Sequence, residues 1–572
     1  MPNQLTCRRD CARPWFGLLA TIVAWLPLVS SASTYYVATN GADTNSGTLG
    51  QPFLTIQKAA NVMAAGDTVF IRGGTYRESV TPVNSGTSSA ARITYQAYSN
   101  EVVTINGADV LTSNTWGFYS GNIYSNAMNW DLTSSNQVFL DGQMMIEARY
   151  PNTSLDVSHP VKLFSTDGNY TGTTGTLYCA ALTQPTNYWV GASIAVALGK
   201  VWQVETDPVI NSGNGQISFT FTPVVPNYLP TNNNQFFLFG KFSELDAPGE
   251  WFRTNNTLYF WPPQNDNPAT HVVEAKRRAL GFNLNGKSWI TVRGITLFAC
   301  TITTDRSSKG CLLDALNVYY PSHFTQLVKW STGVTNAGVI VAGTSNILQN
   351  SLVAYSAGSG VVLLGTNNIV TNNLIHDVNY SGNNGAGVST EVGYNAFGAT
   401  NSVIANNTIY NCGLRALGIG GLLGSYVHHN DVSHGGLQLT DFGLIYAYHT
   451  DGQGTRIAYN LVHDTDTASS GLPFANNSKG IYLDGGATDY IVDHNVVWGA
   501  DRGIILNPSD PPWTNQVVTV VNNTLLGGGN SVGWSYTSMI GTVFQNNIFR
   551  SAAATGPGAA LTNNLTSGTD PK

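Results

Sequence analysis

The sequence predicts an all-β protein: a parallel β-helix with a short N-terminal capping helix and an inserted antiparallel, sandwich-like β-domain. Three observations lead there. Only 10% of the 572 residues are charged, while glycine reaches 60 residues and aromatics 11%, against about 25% charged in a typical soluble protein. Second, asparagines recur, each followed by a short apolar run and a polar turn. They are Asn350, Asn373, Asn407, Asn430, Asn460, Asn495, Asn523 and Asn547, at spacings of 23, 34, 23, 30, 35, 28 and 24. A period in the twenties with variable insertions marks a solenoid, whose repeats stack because none buries its own core. A propeller would need longer and more even periods. Third, between Asp441 and Asn507 several short apolar strands end on an acidic or amide residue and a turn, as in Lys479-Gly480-Ile481-Tyr482-Leu483-Asp484.

The chain divides into five stretches. Residues 1–32 read as a secretory signal. Arg8, Arg9 and Arg13 are its positive region, and Trp15 to Val29 is apolar but short for a bilayer. Ser30-Ser31-Ala32 offers a cleavage site, and a membrane anchor is the alternative. Residues 33–135 begin the β-helix, with strands at Tyr35-Tyr36-Val37 and Val69-Phe70-Ile71. A helix over about Leu54 to Met63, led by Pro52, caps the open edge. Residues 136–280 lose the repeat and alternate like an inserted antiparallel β-domain, with Ile217-Ser218-Phe219-Thr220-Phe221 as one strand. Residues 281–555 are the main helix repeats and 556–572 a tail. Cys179, Cys300, Cys311 and Cys412 lack metal-ligand spacing. A Cys300–Cys311 disulfide and four buried thiols remain alternatives.

The net charge of -7 is spread along the chain without a basic run, which excludes a nucleic-acid partner on charge grounds. Once the signal is removed, no membrane partner is expected either. No signal for an oligomeric state is present. Residues 331–550 hold twelve acidic side chains but five basic ones, and seven of the ten histidines.

Counting four residues on from the strand glycines Gly387, Gly480 and Gly503 gives Glu391, Asp484 and Asn507. This puts polar groups at one edge of one sheet. With rungs about 4.8 Å apart, Asp484 and Asn507 are neighbours, and Glu391 is three rungs from Asp484, roughly 14 Å. Asp451 lies in the turn after the preceding strand and is the expected partner of Asp484. Asp441 starts its strand and reaches the Asp484 end only through a bend or bulge. Paired carboxylates supply acid and nucleophile or base at a glycosidic bond. Tyr446, Tyr448, Tyr482, Trp498 and Trp513 offer ring faces for sugars, and His449 stands beside them. Several of these residues have structural readings. Asp464 and Asp466 suit turns, and His376 and His463 suit a stacked column. Asp451 precedes a glycine, Asp484 precedes Gly485-Gly486, and Asn507 precedes Pro508, all of which is turn chemistry.

Two sets of strings carry a resemblance. Pro52-Phe53-Leu54-Thr55-Ile56-Gln57-Lys58-Ala59, Gly66-Asp67-Thr68-Val69 and Arg72-Gly73-Gly74-Thr75-Tyr76 resemble the start of right-handed, pectate-lyase-like β-helix proteins. Asp441-x-Gly443-x-Ile445-Tyr446, Thr450-Asp451-Gly452-x-Gly454-Thr455 and Gly480-Ile481-Tyr482-Leu483-Asp484 resemble secreted bacterial glycoside hydrolases of families 120 and 141. The inserted domain, with Trp251 and Trp261, is similar to the sandwich flanking the helix in the β-xylosidase group. The resemblance implies a right-handed helix and a β-xylosidase-like or α-L-fucosidase/xylanase-like activity. It places Asp441, Asp451 and Asp484 at the acidic positions.

The expectation is a secreted or periplasmic glycoside hydrolase acting on plant or algal polysaccharide or oligosaccharide. Asp484, Asp451 and Asp441 are the catalytic candidates. Glu391, His449, Tyr446, Tyr448, Tyr482 and Asn507 are the substrate-binding candidates. No cofactor is expected. A polysaccharide lyase of the same fold is the alternative, with Ca²⁺ held by Asp484 and Asp451 or with cations offsetting a uronate. A non-catalytic carbohydrate-binding surface protein is the third reading.

Overall fold

The computed structural model describes residues 32–223, 227–328, 338–391, 398–465, 478–507, 516–526, 532–533, 538–551 and 555–567. The signal segment before Ala32, Asp466, Pro508 and Trp513 lie outside the described residues.

Three parallel sheets wind into a right-handed β-helix. A 14-stranded sheet runs from Thr34–Val37 to Ala560–Thr562 and a 13-stranded one from Gly74–Tyr76 to Leu565–Thr566. The third has 12 strands and begins at Leu280–Asn283; it includes Ala386–Ser389, Arg415–Gly418, Gly443–Tyr448, Lys479–Asp484 and Arg502–Leu506 in that order. Inward-facing Val, Ile and Leu stack rung on rung into one long core, which is how a solenoid buries faces that no repeat covers alone. The capping helix is Ile56–Val62. Thr55 is its N-cap and accepts from the Lys58 amide, and the Glu78 carboxylate takes the Ile56 and Gln57 amides. Ile56, Ala59 and Ala60 close the end of the core.

The asparagine repeat is a buried ladder. Asn373, Asn407, Asn430, Asn460, Asn495, Asn523, Asn547 and Asn564 each lend Oδ1 to the amide of the residue one rung before. The residue preceding each is left-handed, with φ near 55° at Asn372, Asn406, His429, Tyr459, His494, Asn522 and Asn546. Asn350 corrects the expected register. It occupies the left-handed position, and Ser351 holds the ladder place, its Oγ accepting from the Leu316 amide at 3.0 Å. His376 stacks on Tyr410 and His463 on Trp498, so both histidines belong to ring columns. All four described cysteines are free and buried.

The inserted antiparallel strands run from Ala108–Val110 to Val273–Lys276, which pair with each other. They leave the helix after Val103–Asn106 and return to it at Leu280–Asn283. The insertion therefore begins before the expected boundary at 136. It packs on the turn that precedes Asp441. Gln438 gives its carbonyl to Gln235 and its side-chain amide to the Ser158 carbonyl, and accepts from Lys162. Thr440 bonds the Lys200 and Val201 carbonyls.

Candidate active site

The outer face of the third sheet carries the site. Tyr446 pairs in register with Tyr482, and Tyr482 with Ile505, giving an apolar middle row. Two residues further along, Tyr448 pairs with Asp484, and the Leu483–Leu506 pairing sets Asn507 beside Asp484. At the strand starts, Lys479 pairs with Gly443 and Arg502, and Arg415 begins the strand before Gly443–Tyr448.

Asp484 sits at the centre, with 9% of its surface open. Its Oδ2 accepts from the Tyr446 hydroxyl at 2.9 Å; its Oδ1 accepts from Asn507 Nδ2 at 2.7 Å and the Gly485 amide at 2.8 Å. Burial, together with the charge of Asp441, pushes the Asp484 carboxyl above the usual carboxylate range. The hydrogen bonds from Asn507, Tyr446 and Tyr482 oppose this by favouring the ionised form. Burial and the Asp484 charge hold the Tyr446 and Tyr482 hydroxyls well above their usual range, so both remain neutral donors. Gly485 has φ 58°, and a Cβ there would lie 2.4 Å from the Tyr448 and His449 rings, so only glycine lets this stacked pair close over the turn. Burial keeps the His449 imidazole below its usual range, against the Asp484 charge.

Asp441 joins this group. Its Oδ1 lies 2.5 Å from the buried Lys479 ammonium, which stands 4.4 Å from the Tyr482 ring centre. The reason is a bend. Leu444 and Ile445 are consecutive residues yet both are core residues, and the pairing skips from Gly443–Lys479 to Ile445–Ile481. Alternation is broken at one point, and the strand start turns onto the face that Asp484 occupies. Burial lowers the Lys479 ammonium from its usual range, and Asp441 opposes that.

Asp451 goes elsewhere. It starts Asp451–Ala458 in the 14-stranded sheet, pairs with Thr488, is exposed, and holds the Gln453 amide in a tight turn. Of the two carboxylates it is Asp441 whose charge helps raise Asp484, so Asp441 takes the place expected of Asp451. Glu391 follows the strand Ala386–Ser389, three strands from Asp484. It binds Arg415 at 2.6 Å, and the Arg415 guanidinium lies 4.0 Å over the Tyr446 ring. Its other oxygen, Oε1, is buried and has no hydrogen-bond partner among the described residues. Trp498 stacks on His463, away from this face. Lys479 and Arg415 were not singled out as site residues. Lys479 carries a signal in the sequence, since like Arg502 it immediately precedes a strand glycine at the same register; Arg415, followed by Ala416, carries none of this kind.

Among the described residues no group of three or more His, Cys, Asp or Glu side chains is placed to hold a metal ion. The face offers instead a buried carboxyl among neutral donors, a second carboxylate in an ion pair, and a partly open Tyr448 ring.

Known proteins share this architecture. Residues 35–158 match the family described as Pel9A-like, right handed beta helix region, and residues 330–549 match the right handed beta helix region family. Uncharacterized protein YwoF of Bacillus subtilis (strain 168) is 45% identical over 80 residues, 14% of this chain and 17% of that protein. Pectate lyase PEL9 of Emericella nidulans is 37% identical over 81 residues, 14% of this chain and 20% of that protein. The matched segments thus span a fifth or less of these relatives. A solved structure described as a glycoside hydrolase superposes with a TM-score of 0.62 at 13% identity, covering 94% of this chain and 98% of the other.

Proposed function

We propose that this right-handed, pectate-lyase-like β-helix protein is a secreted glycoside hydrolase. Its substrate is a plant or algal polysaccharide or oligosaccharide, and the resemblance to families 120 and 141 points to β-xylosidase-like or α-L-fucosidase/xylanase-like activity. The observation that carries the reading is the pair Asp484 and Asp441. One sheet face holds two carboxyls in unlike surroundings, one buried among neutral donors and one against an ammonium. Environments that separate two carboxyls in this way assign them different roles. Asp484, raised by burial, keeps a proton to give to the leaving-group oxygen. Asp441, turned toward it by the bend, is the second carboxylate, acting on the sugar directly or through water. Tyr446 and Asn507 fix the Asp484 oxygens, and Lys479 fixes Asp441. Tyr448 and Tyr482 border the face where a sugar ring would rest.

One observation favours the lyase alternative. Of the five basic residues between 331 and 550, Arg415, Lys479 and Arg502 fall in one row of this face. A lyase needs cations to offset a uronate carboxylate, and a base. Here, however, Arg415 already binds Glu391 and Lys479 binds Asp441, so the hydrolase reading leads. A purely carbohydrate-binding protein has no need for the two carboxyls to converge.

The test incubates the mature protein with a panel of neutral and uronic polysaccharides and their oligomers. Reducing ends and the absorbance of unsaturated products are followed together. New reducing ends without unsaturation are expected. An unsaturated product would transfer the assignment to a lyase, and no product on any substrate would leave the binding protein.

A further inference from the structure

A cavity lies away from the sheet face, between the insertion and the helix. Its volume is about 130 Å³, and its lining includes Glu147, Arg149, Lys162, Trp251, Phe239 and Gln438. Drug-sized pockets run to roughly 300–1,000 Å³, so an occupant here is limited to about one ring.

The polar groups in this wall are incompletely matched. The Lys162 ammonium bonds only the neutral amide oxygens of Gln235 and Gln438, at 3.2 and 2.6 Å. Arg149 donates to the Pro151 and Val161 carbonyls and lies 3.8 Å over the Phe237 ring. Neither makes an ion pair among the described residues. Glu147 lines the space without a hydrogen bond to any described residue, at the end of Ile146–Glu147 and in register with Trp251. Burial holds the Lys162 ammonium down to about 7 and pushes the Glu147 carboxyl up to about 7. The Glu250 charge supports Arg149 through space, but Lys162 has no carboxylate bonded to it among the described residues. A buried cation without a bonded counter-charge is costly, and cavities at domain interfaces with a few convergent polar groups are where small ligands bind.

We infer that this cavity is a second ligand site, which takes a small hydroxylated carboxylate no larger than a single sugar ring. The ligand carboxylate lies against Lys162 and beside Arg149, giving the Lys162 ammonium the bonded counter-charge it lacks. A ligand hydroxyl donates to Glu147, and the ring or carbon chain packs on Trp251 and Phe239. Sugar acids and open-chain hydroxy acids share this chemistry. The inference does not rest on the catalytic assignment: none of its residues belongs to the Asp484 face, although Lys162 also bonds Gln438 in the turn before Asp441.

The test is calorimetric titration of the full protein with glucuronate, lactate, glucose and inorganic phosphate. One of the two carboxylates is expected to saturate a single site, with glucose binding at least about tenfold more weakly because the charge-assisted bonds are lost. Lys162→Met is expected to weaken the carboxylate by about tenfold or more. Glu147→Gln is expected to tighten it, and covers the case in which Lys162→Met does not fold. Asp484→Asn is expected to leave the affinity unchanged. Four results would overturn the inference: no saturable binding of either carboxylate, meaning a water-filled cavity; equal binding of glucose or tighter binding of phosphate; affinity indifferent to both cavity variants; or loss of binding in Asp484→Asn.

Discussion

Asp484→Asn separates what this carboxyl does for chemistry from what it does to stability. The amide keeps the shape and most of the contacts. Its oxygen still accepts from Asn507 and Gly485, and its nitrogen faces the Tyr446 hydroxyl, which rotates to accept. What disappears is the proton the carboxyl can transfer and the buried charge it would carry once that proton leaves. Loss of a general acid costs about 10²–10⁴ in rate, or about 3–5 kcal/mol of transition-state stabilisation. Stability moves the other way. Burial and Asp441 raise the Asp484 carboxyl above its unfolded range. Between the unfolded and folded values the native state holds more protons, so stability falls as pH rises through that window. The neutral amide lacks this penalty. Asp484→Asn is therefore expected to unfold at higher temperature than the parent at pH 7. The two should converge below about pH 4, where both states of the parent are protonated. The assays are initial rates on the best substrate of the panel and thermal unfolding at about pH 3 and pH 7. A variant that retains activity within about tenfold, or that is less stable than the parent at pH 7, would refute the assignment.

Other substitutions probe the surroundings. Lys479→Met removes the charge-assisted bond that fixes Asp441, roughly 1.5–3 kcal/mol, so the turnover rate should fall by about ten- to a hundredfold while circular dichroism is retained. Asp451→Ala removes only an exposed bond to the Gln453 amide; its rate should stay within about threefold and its stability within about 1 kcal/mol of the parent, and a larger loss of rate would return Asp451 to the site. Asn430→Ala strands the buried Asn407 amide and strips one partner each from the Asn407 side chain and the Ile404 carbonyl. At about 1–3 kcal/mol for the orphaned amide, with smaller losses for the other two groups, urea unfolding should show a loss of about 3 kcal/mol with little effect on the site face.

The repeat was legible because one buried side chain must serve one geometry at every turn. An amide that accepts from the rung before and donates to a carbonyl is a chemical requirement, and asparagine meets it from Asn373 to Asn564. The register slipped at Asn350 because serine also meets the acceptor half of that requirement, and because asparagine is equally suited to the left-handed position beside it. The place of Asp484 was legible from its strand-end position. Its partner was not, since strict alternation along an extended strand puts Asp441 too far away. The bend at Leu444–Ile445 is two adjacent apolar residues, which look like any other apolar run in the sequence. Asp451 misled for a related reason: distance along the chain is short, but the corner of the helix puts it in another sheet. The start of the insertion was hidden because Asp109-Val110 continues the pattern of Val103–Asn106. The break is at Gly107, where a Cβ would meet the Ala299 carbonyl at 2.5 Å.

The bend alone does not place Asp441. Its φ is 59°, a left-handed conformation that costs a non-glycine residue roughly 1–2 kcal/mol, and Lys479 holds only the carboxylate. The backbone is held from the other side. Thr440 gives its amide to the Val201 carbonyl at 3.0 Å and its hydroxyl to the Lys200 carbonyl at 2.7 Å. Three residues before Asp441, Gln438 is tied by three bonds to Gln235, Lys162 and Ser158. All of these partners belong to the insertion. A rung of the solenoid meets only its two neighbours and cannot by itself over-determine a strained turn on its outer face. The insertion supplies the missing constraints, so the second carboxylate is positioned jointly by two structural units while Asp484 is positioned by the helix alone.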